Sequence, residues 1–542
     1  MSGSRQHFAI YTFSQSFSDG IDYSSIHILI HLPKTAKIIH TSHKSFFYIP
    51  QNRSQHNRYR HPFCIFAGYR IRMKREILYQ KIAGTIAWQI KIGIWKAGEK
   101  LPSLRTISNE YGVSLNTAIQ VYYELEKEGF IISRPKSGFI VNYKPLNLSA
   151  PATTQPSAQS LGKEEADLIM EVYHSIEDSS ITRFSLGIPE DVLLPIAKLN
   201  KELVKAMYSL PGNGTRYEDP QGNIRLRKYI ARFAYSWNGN LTENDIVTTT
   251  GVTNSISLAL SVIAQRGDII AVESPVYFGI LQLANSMGLR VLELPTNPVT
   301  GIEPDALRKV LPQISLCLLI SNFSNPLGSC MPDEHKKEIV QMLAEHDIPL
   351  IEDDLYGDVF FGHSRPKPCK AFDEKGLVLW CGSVSKTLAP GYRVGWIAPG
   401  KFKDAIIRQK HIHLISTPTL NQEAIANFME NGRYENHLRK LRHELHTNSL
   451  HLAQSITDYF PEDTKIITPQ GGFMLWVELN QRTDTTELYY KAMQHKISIA
   501  PGRMFTLHDQ YRNCMRLSFG QQWSPFIEER LQTLGNIIKE SF

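Results

Sequence analysis

The chain is predicted to be an α/β protein with a mainly parallel sheet, carried behind a small helical head. Three observations predict it. After about residue 180, short apolar runs alternate with helical stretches, as at Asp268-Ile269-Ile270-Ala271-Val272, Leu316-Cys317-Leu318-Leu319-Ile320 and Ile348-Pro349-Leu350-Ile351. Strand and helix alternating in this way build parallel sheets. Between residues 76 and 142 helical stripes are punctuated by glycines and end in two strand-like runs. Finally, 542 residues are too many for one core, so two or three domains are expected. No internal repeat is visible.

Composition narrows the class. Hydrophobic residues make up 42% of the chain, yet none of their runs approaches the ~18 residues that would cross a bilayer. No membrane span is therefore expected. The cysteines (Cys64, Cys317, Cys330, Cys369, Cys381, Cys514) show no CxxC or ligand spacing. They suit a reducing cytoplasm and predict neither a disulfide framework nor a metal site. The formal charge of +7 is unevenly spread: residues 1–72 carry nine Lys/Arg and two Asp/Glu, residues 73–144 eleven and six, and the remainder 39 and 44. The basic excess is confined to the first quarter, so contact with nucleic acid is expected there.

Residues 1–72 form an atypical basic extension. They hold seven of the nineteen histidines, twelve Phe/Tyr and ten serines, with no sustained helical or strand period and no apolar core of a secretory signal. The leading expectation is translated upstream sequence, with the natural start at Met73. A disordered basic arm that adds to DNA affinity and a transit peptide are the alternatives.

Residues 73–144 read as the head. Ile77, Ile82, Ile86 and Ile90, with Trp88 nearby, give a helical stripe that ends at Gly93. Ser103 is placed to cap a short helix ending at Gly112, and Ser114 to cap a longer one running to about Glu128. Short helix, glycine turn and long helix make a helix-turn-helix. Phe130-Ile131-Ile132-Ser133-Arg134 and Gly138-Phe139-Ile140-Val141 then alternate like strands around the small basic tip Pro135-Lys136-Ser137, which completes a winged element. Through Leu101-Pro102-Ser103-x-Arg105, Gly112-Val113-Ser114, Thr117, Tyr122-x-x-Leu125, Glu128-Gly129-Phe130 and Ser137-Gly138-Phe139, residues 74–142 resemble the winged helix of the GntR family. The resemblance implies double-stranded DNA as partner. It places Arg105, Ser114, Asn116 and Thr117 at the duplex and the wing around Lys136, Ser137 and Gly138 in the minor groove. Leu115 stands where many relatives carry a basic residue.

Residues 145–180 are expected to be a linker, because 145–162 are rich in Pro, Ala, Ser, Thr and Gln.

From residue 181 the most informative run is Ser383-Val384-Ser385-Lys386-Thr387-Leu388-Ala389-Pro390-Gly391-Tyr392-Arg393, just after the strand-like Gly376-Leu377-Val378-Leu379-Trp380-Cys381-Gly382. A lysine between hydroxyls and an arginine suits a phosphorylated aldehyde: the amine can form a Schiff base while hydroxyls and guanidinium hold the phosphate. Pyridoxal 5'-phosphate (PLP) is thus the first cofactor to test. Thr250-Gly251-Val252-Thr253 opens a helix and offers backbone N–H groups to a phosphate. Asp353, at the end of an apolar strand, could hold a pyridine nitrogen; beside Glu352 and Asp354 it also reads as a solvated acidic cluster. Tyr356 and Asn325 could reach the ring oxygen, and Tyr277 could stack.

In that order, residues 181–542 resemble the fold-type I aminotransferases. The resemblance implies a mainly parallel large domain and a small α/β domain. It implies Lys386, Asp353 and Tyr356 as catalytic residues, and Asn325, Tyr277, Gly251, Val252, Thr253, Ser383, Ser385 and Arg393 around the cofactor. Tyr217 would reach the phosphate of a neighbouring subunit, hence a homodimer, and Arg516 would grip a substrate or effector carboxylate. Head, linker and large domain together resemble the MocR subfamily of transcriptional regulators. That layout implies a cytoplasmic, operator-binding regulator that senses PLP, an amino acid or another amine. An active aminotransferase with an appended DNA-binding head is the alternative.

Overall fold

A computed structural model of the chain describes residues 78–134, 138–143, 148–155, 164–174, 178 and 180–541, with the backbone of 9–12 and 27–30. Two compact units are present, 1–75 and 76–542. In the first, β1 (Ala9–Thr12) pairs antiparallel with β2 (His27–Ile30), although no strand period is legible there. The remaining expectations for residues 1–72, and the tip residues Lys136 and Ser137, lie outside the described residues.

The head follows its sequence closely. Helix α1 (Leu78–Lys91) buries Ile82, Ile86 and Ile90, the i, i+4, i+8 stripe, while Trp88 stays exposed. Helix α2 (Leu104–Glu110) is capped by Ser103, whose Oγ accepts from Thr106 N at 3.2 Å. Gly112 sits at φ +60°, the left-handed turn that a side chain would strain, and α3 (Leu115–Lys127) follows under the Ser114 cap. Strands β3 (Ile131–Arg134) and β4 (Gly138–Val141) pair antiparallel as the wing. Leu101, Ile107, Val121, Leu125, Phe130 and Val141 close a separate small core around Tyr122, whose hydroxyl donates to the Pro102 carbonyl at 2.7 Å.

The connecting segment differs from a plain tether. Thr154 N and Oγ1 donate to the Thr296 carbonyl, and Oγ1 also reaches the Ser274 carbonyl at 2.7 Å. Helix α4 (Glu164–His174) then buries Leu168, Ile169 and Val172 in the main core. These apolar positions share one helical face, which holds the segment against the large domain despite the composition of the stretch before it.

The large domain is built on a seven-stranded sheet. The two-residue strand β5 (Thr182–Arg183) leads into α5 (Ile196–Ser209) and α6 (Ile224–Ala234). Then come β6 (Val247–Thr249), α7 (Val252–Ile263), β7 (Ile269–Glu273), α8 (Phe278–Ser286) and β8 (Arg290–Leu294). A small hairpin, β9 (Thr296–Asn297) with β10 (Gly301–Ile302), precedes β11 (Leu316–Leu319), β12 (Leu350–Asp353), β13 (Val378–Ser383) and β14 (Gly395–Ala398). The sheet order is β6-β14-β13-β12-β11-β7-β8. Strands β8, β7, β11, β12 and β13 run parallel, and β14 is antiparallel to both its neighbours. Strands β11, β12 and β13 are buried along their whole length, which is why they read as continuous apolar runs rather than alternating ones.

A second, antiparallel sheet of order β15-β16-β19-β18 uses β15 (Lys465–Ile466), β16 (Met474–Glu478), β18 (Ala500–Pro501) and β19 (Cys514–Ser518). Strand β17 (Ile497–Ser498) pairs parallel with β5. Among the described residues no helix is long and apolar enough to cross a membrane, and none of their His, Cys, Asp and Glu groupings could hold a metal ion.

Candidate functional site

Parallel strands deliver their C-terminal ends to one edge of a sheet, and ligands of such sheets bind in the crevice there. A cavity of about 360 Å³ lies at that edge. Val252 and Thr253 line it from the turn after β6, Tyr277 from the loop after β7, and Asn325 from the loop after β11. Asp353 ends β12, Tyr356 follows it, and Ser385, Lys386 and Arg393 come from the loop between β13 and β14. Arg516 enters from β19 of the second sheet.

The carboxylates separate by partner. Asp353 is buried and accepts from Leu355 N at 3.1 Å. Its neighbours face elsewhere: Glu352 accepts from Ser321 and the backbone of Cys369 and Lys370, while Asp354 pairs with Arg365, Asn322 and Trp380 Nε1. The solvated acidic cluster is thereby corrected. Strand alternation sends consecutive side chains to opposite faces, so Asp353 alone lines the cavity.

Asn325 Nδ2 lies 3.4 Å from the Tyr356 hydroxyl, and Asn325 Oδ1 accepts from Arg516 Nη1 at 2.9 Å. Arg516 Nη2 donates to the Ser185 carbonyl, and the guanidinium lies 5.0 Å from the Phe505 ring centroid. Arg516 Nε is buried with no partner among the described residues, a donor that costs about 1–3 kcal/mol unless a ligand or water accepts from it. An acceptor such as a carboxylate suits that position.

The side expected to hold a phosphate forms a cradle. Helix geometry leaves the N–H groups of Val252 and Thr253 without intrahelical acceptors. Gly251, at φ +102°, keeps the approach open: a Cβ there would stand 2.5 Å from Arg393 Nη2. Arg393 donates to the Thr250 carbonyl at 3.2 Å and to Ser385 Oγ at 3.4 Å. Ser383 Oγ lies 2.8 Å from Ser385 Oγ and bonds the Val394 carbonyl, so it buttresses Ser385 rather than lining the cavity. Two N–H groups, a hydroxyl and a guanidinium around a glycine fit a phosphate dianion.

Electrostatics tune the amine. Lys386 Nζ donates to the Gly187 carbonyl at 2.5 Å. Burial, with Arg516 and Arg393 nearby, lowers its pKa from 10.5 to about 8 against the opposing pull of Asp353. Burial raises Asp353 to about 7, opposed by the Leu355 N–H and by Lys386. The Tyr356 and Tyr277 phenols are held above their ordinary range by burial. A pKa near 8 leaves roughly a quarter of the amine neutral at pH 7.5, against roughly one part in a thousand for an ordinary lysine. The rate at which the protein captures an added pyridoxal aldehyde is therefore expected to rise with pH and level off above about pH 8. Stopped-flow absorbance across pH 6–10 checks this, and a midpoint near 10.5 would contradict it.

Tyr217 lies outside the cavity and is 81% exposed. In the head, Arg105, Asn116 and Gly138 are exposed, on α2, the first turn of α3 and β4. Ser114 and Thr117 bond each other, Oγ to Oγ1 at 2.9 Å, while Ser114 caps the helix. Sequence reasoning missed Tyr173 on α4, and it missed Gly187 and Ser185, which act through carbonyls. The Leu186-Gly187-Ile188-Pro189 turn after β5 was the available signal.

The chain matches the model of bacterial regulatory proteins of the gntR family over residues 78–141 and that of aminotransferase class I and II over residues 184–522. It is 36% identical to the uncharacterized HTH-type transcriptional regulator YjiR of Escherichia coli K12, covering 85% of this chain and 98% of that protein. The uncharacterized HTH-type regulator YdcR of the same organism is 33% identical over 85% and 99% of the two chains. Among solved structures, the kynurenine aminotransferase of Pyrococcus horikoshii aligns with a TM-score of 0.65 at 25% identity, over 70% of this chain and 97% of that one.

Proposed function

This chain belongs to the GntR-type transcriptional regulators whose helical head is fused to an aminotransferase class I and II domain, the MocR-type architecture, and we propose that its large domain binds PLP and reports an amino compound to that head. The observation that carries the reading is the convergence of Lys386, Asp353, Asn325, Tyr277 and Arg516 with the α7 N-terminus in one cavity.

When bound, PLP supplies an aldehyde carbon that condenses with amines and a ring that withdraws electrons. In this reading Lys386 Nζ holds the aldehyde carbon, and Asp353 accepts from the pyridine nitrogen. Tyr356 and Asn325 donate to the ring oxygen, and Tyr277 covers a ring face. The α7 N–H groups of Val252 and Thr253, with Ser385 and Arg393, hold the phosphate; Ser383 supports Ser385, and Gly251 keeps the approach clear. Arg516 receives the carboxylate of the amino compound. Tyr217 completes the phosphate site of a second copy, so the regulator works as a homodimer in the cytoplasm. Occupancy can shift DNA binding only by favouring one arrangement of the heads over another. Footprinting on the upstream region, with and without PLP and amino acids, tests the reading; a footprint indifferent to both would overturn the sensing role.

A second reading, slow transamination by the same site, is favoured by the lowered pKa of Lys386, because a partly neutral amine can carry a proton near neutral pH. Turnover of an amino acid with 2-oxoglutarate would reveal it.

For the head, Arg105 is proposed to contact the DNA backbone, with Asn116 at a base edge and Ser114, Thr117, Lys136, Ser137 and Gly138 close by. Arg105→Ala is expected to weaken binding uniformly across sequences. It should also reduce the slope of log affinity against log salt by about one, as for one lost phosphate contact. Fluorescence anisotropy at several salt concentrations measures both; an unchanged slope would remove Arg105 from the backbone.

A further inference from the structure

Resting on the reading of this cavity as a sensor of amino compounds, we propose that its effector is an amino acid with a neutral, apolar or aromatic side chain, read by Tyr173 of helix α4.

The chemistry of the wall points there. Beyond the groups assigned to the cofactor and the carboxylate, the wall of the cavity includes Tyr173, Leu186, Ile188, Ile280 and Leu283. These are apolar surfaces with one phenol. The cations lining it among the described residues are Lys386, Arg393 and Arg516, and each already has a task. A side-chain carboxylate would enter this wall without a cation to meet it, and an unpaired charge in an apolar site is strongly disfavoured. The adjoining cavity, of about 430 Å³, shares Leu186 and Ile188 and adds Arg183, Glu190 and Asp191. Two carboxylates and one guanidinium line it, so an acidic side chain reaching further outward meets net negative charge.

Tyr173 is fixed well enough to read a ligand. Its ring packs edge-on against Phe278 at 5.6 Å, and its phenol lies beside that of Tyr277. It remains 38% exposed and lines the cavity. Behind it, Leu168, Ile169 and Val172 anchor α4 in the core, and Glu171 accepts from the Tyr490 hydroxyl at 3.0 Å. Tyr173 therefore presents a rigid aromatic wall from the segment that follows the DNA-binding head.

The test uses the full chain reconstituted with PLP and titrated with L-leucine, L-phenylalanine, L-glutamate and L-lysine, following the cofactor absorbance. Leucine and phenylalanine are expected to half-saturate the change at concentrations at least about tenfold lower than glutamate, the discrimination an apolar pocket supplies. Tyr173→Ala should lower the phenylalanine-to-glutamate affinity ratio, and Tyr173→Phe should preserve it. A preference for glutamate or lysine, or an unchanged ratio in Tyr173→Ala, would overturn the inference. A cofactor band that none of the four amino acids alters would overturn it together with amine sensing. Absence of any cofactor band is a separate result, which rejects PLP binding and takes the inference with it.

Discussion

Lys386→Ala is expected to abolish the visible absorbance that PLP gives the native chain, leaving only the spectrum of the free or non-covalently held aldehyde. The reason is local. Lys386 supplies the one lysine amine lining the described cavity, and its pKa of about 8 makes it a competent nucleophile near neutrality. Alanine removes that nucleophile while the phosphate cradle of Gly251, Val252, Thr253, Ser385 and Arg393 remains. PLP should therefore still bind, but more weakly, and should wash out on gel filtration. Absorbance before and after filtration separates covalent attachment from cradle binding. A visible band that survives filtration in Lys386→Ala would assign attachment to another amine.

Arg516→Ala is expected to weaken the response to amino acids by about 30- to 150-fold, the range of about 2–3 kcal/mol for hydrogen bonds to a charged group. Arg516 is buried, with Nη1 on Asn325 and Nη2 on the Ser185 carbonyl. Those two contacts fix the orientation of the guanidinium and leave Nε without a partner among the described residues. Arg516→Lys keeps the charge but loses the planar fork, so it should recover only part of the response. Amines without a carboxylate should be affected far less by either substitution. Titration of the cofactor absorbance with an amino acid and with its decarboxylated amine measures the contrast, and equal losses for both ligands would mean that Arg516 does not meet the carboxylate.

Much of this site was legible because strand ends are legible. Asp353 stands in the acidic run that closes an apolar strand, and Lys386 follows a run that reads as a buried strand. The capping serines Ser103 and Ser114 declare the head in the same way. What was hidden lies in two kinds of position. Gly187 and Ser185 act through carbonyl oxygens, which carry no side-chain signature. Tyr173 fell inside the expected linker of residues 145–180, because Pro, Ser and Thr dominate the stretch before it. The apolar face of Leu168, Ile169 and Val172 was present but occupies only three turns.

The proposed sensing by the large domain and DNA binding by the head meet in the affinity for DNA. The most direct measurement compares the native chain with Lys386→Ala on the upstream DNA, with and without PLP plus an amino acid. For the native chain, ligand should change the dissociation constant by at least about fivefold, the lower end of ordinary allosteric coupling. Lys386→Ala should bind the same DNA but show no such change. Equal sensitivity to PLP and amino acid in both proteins would contradict the claim that chemistry at Lys386 is what the DNA-binding head reads.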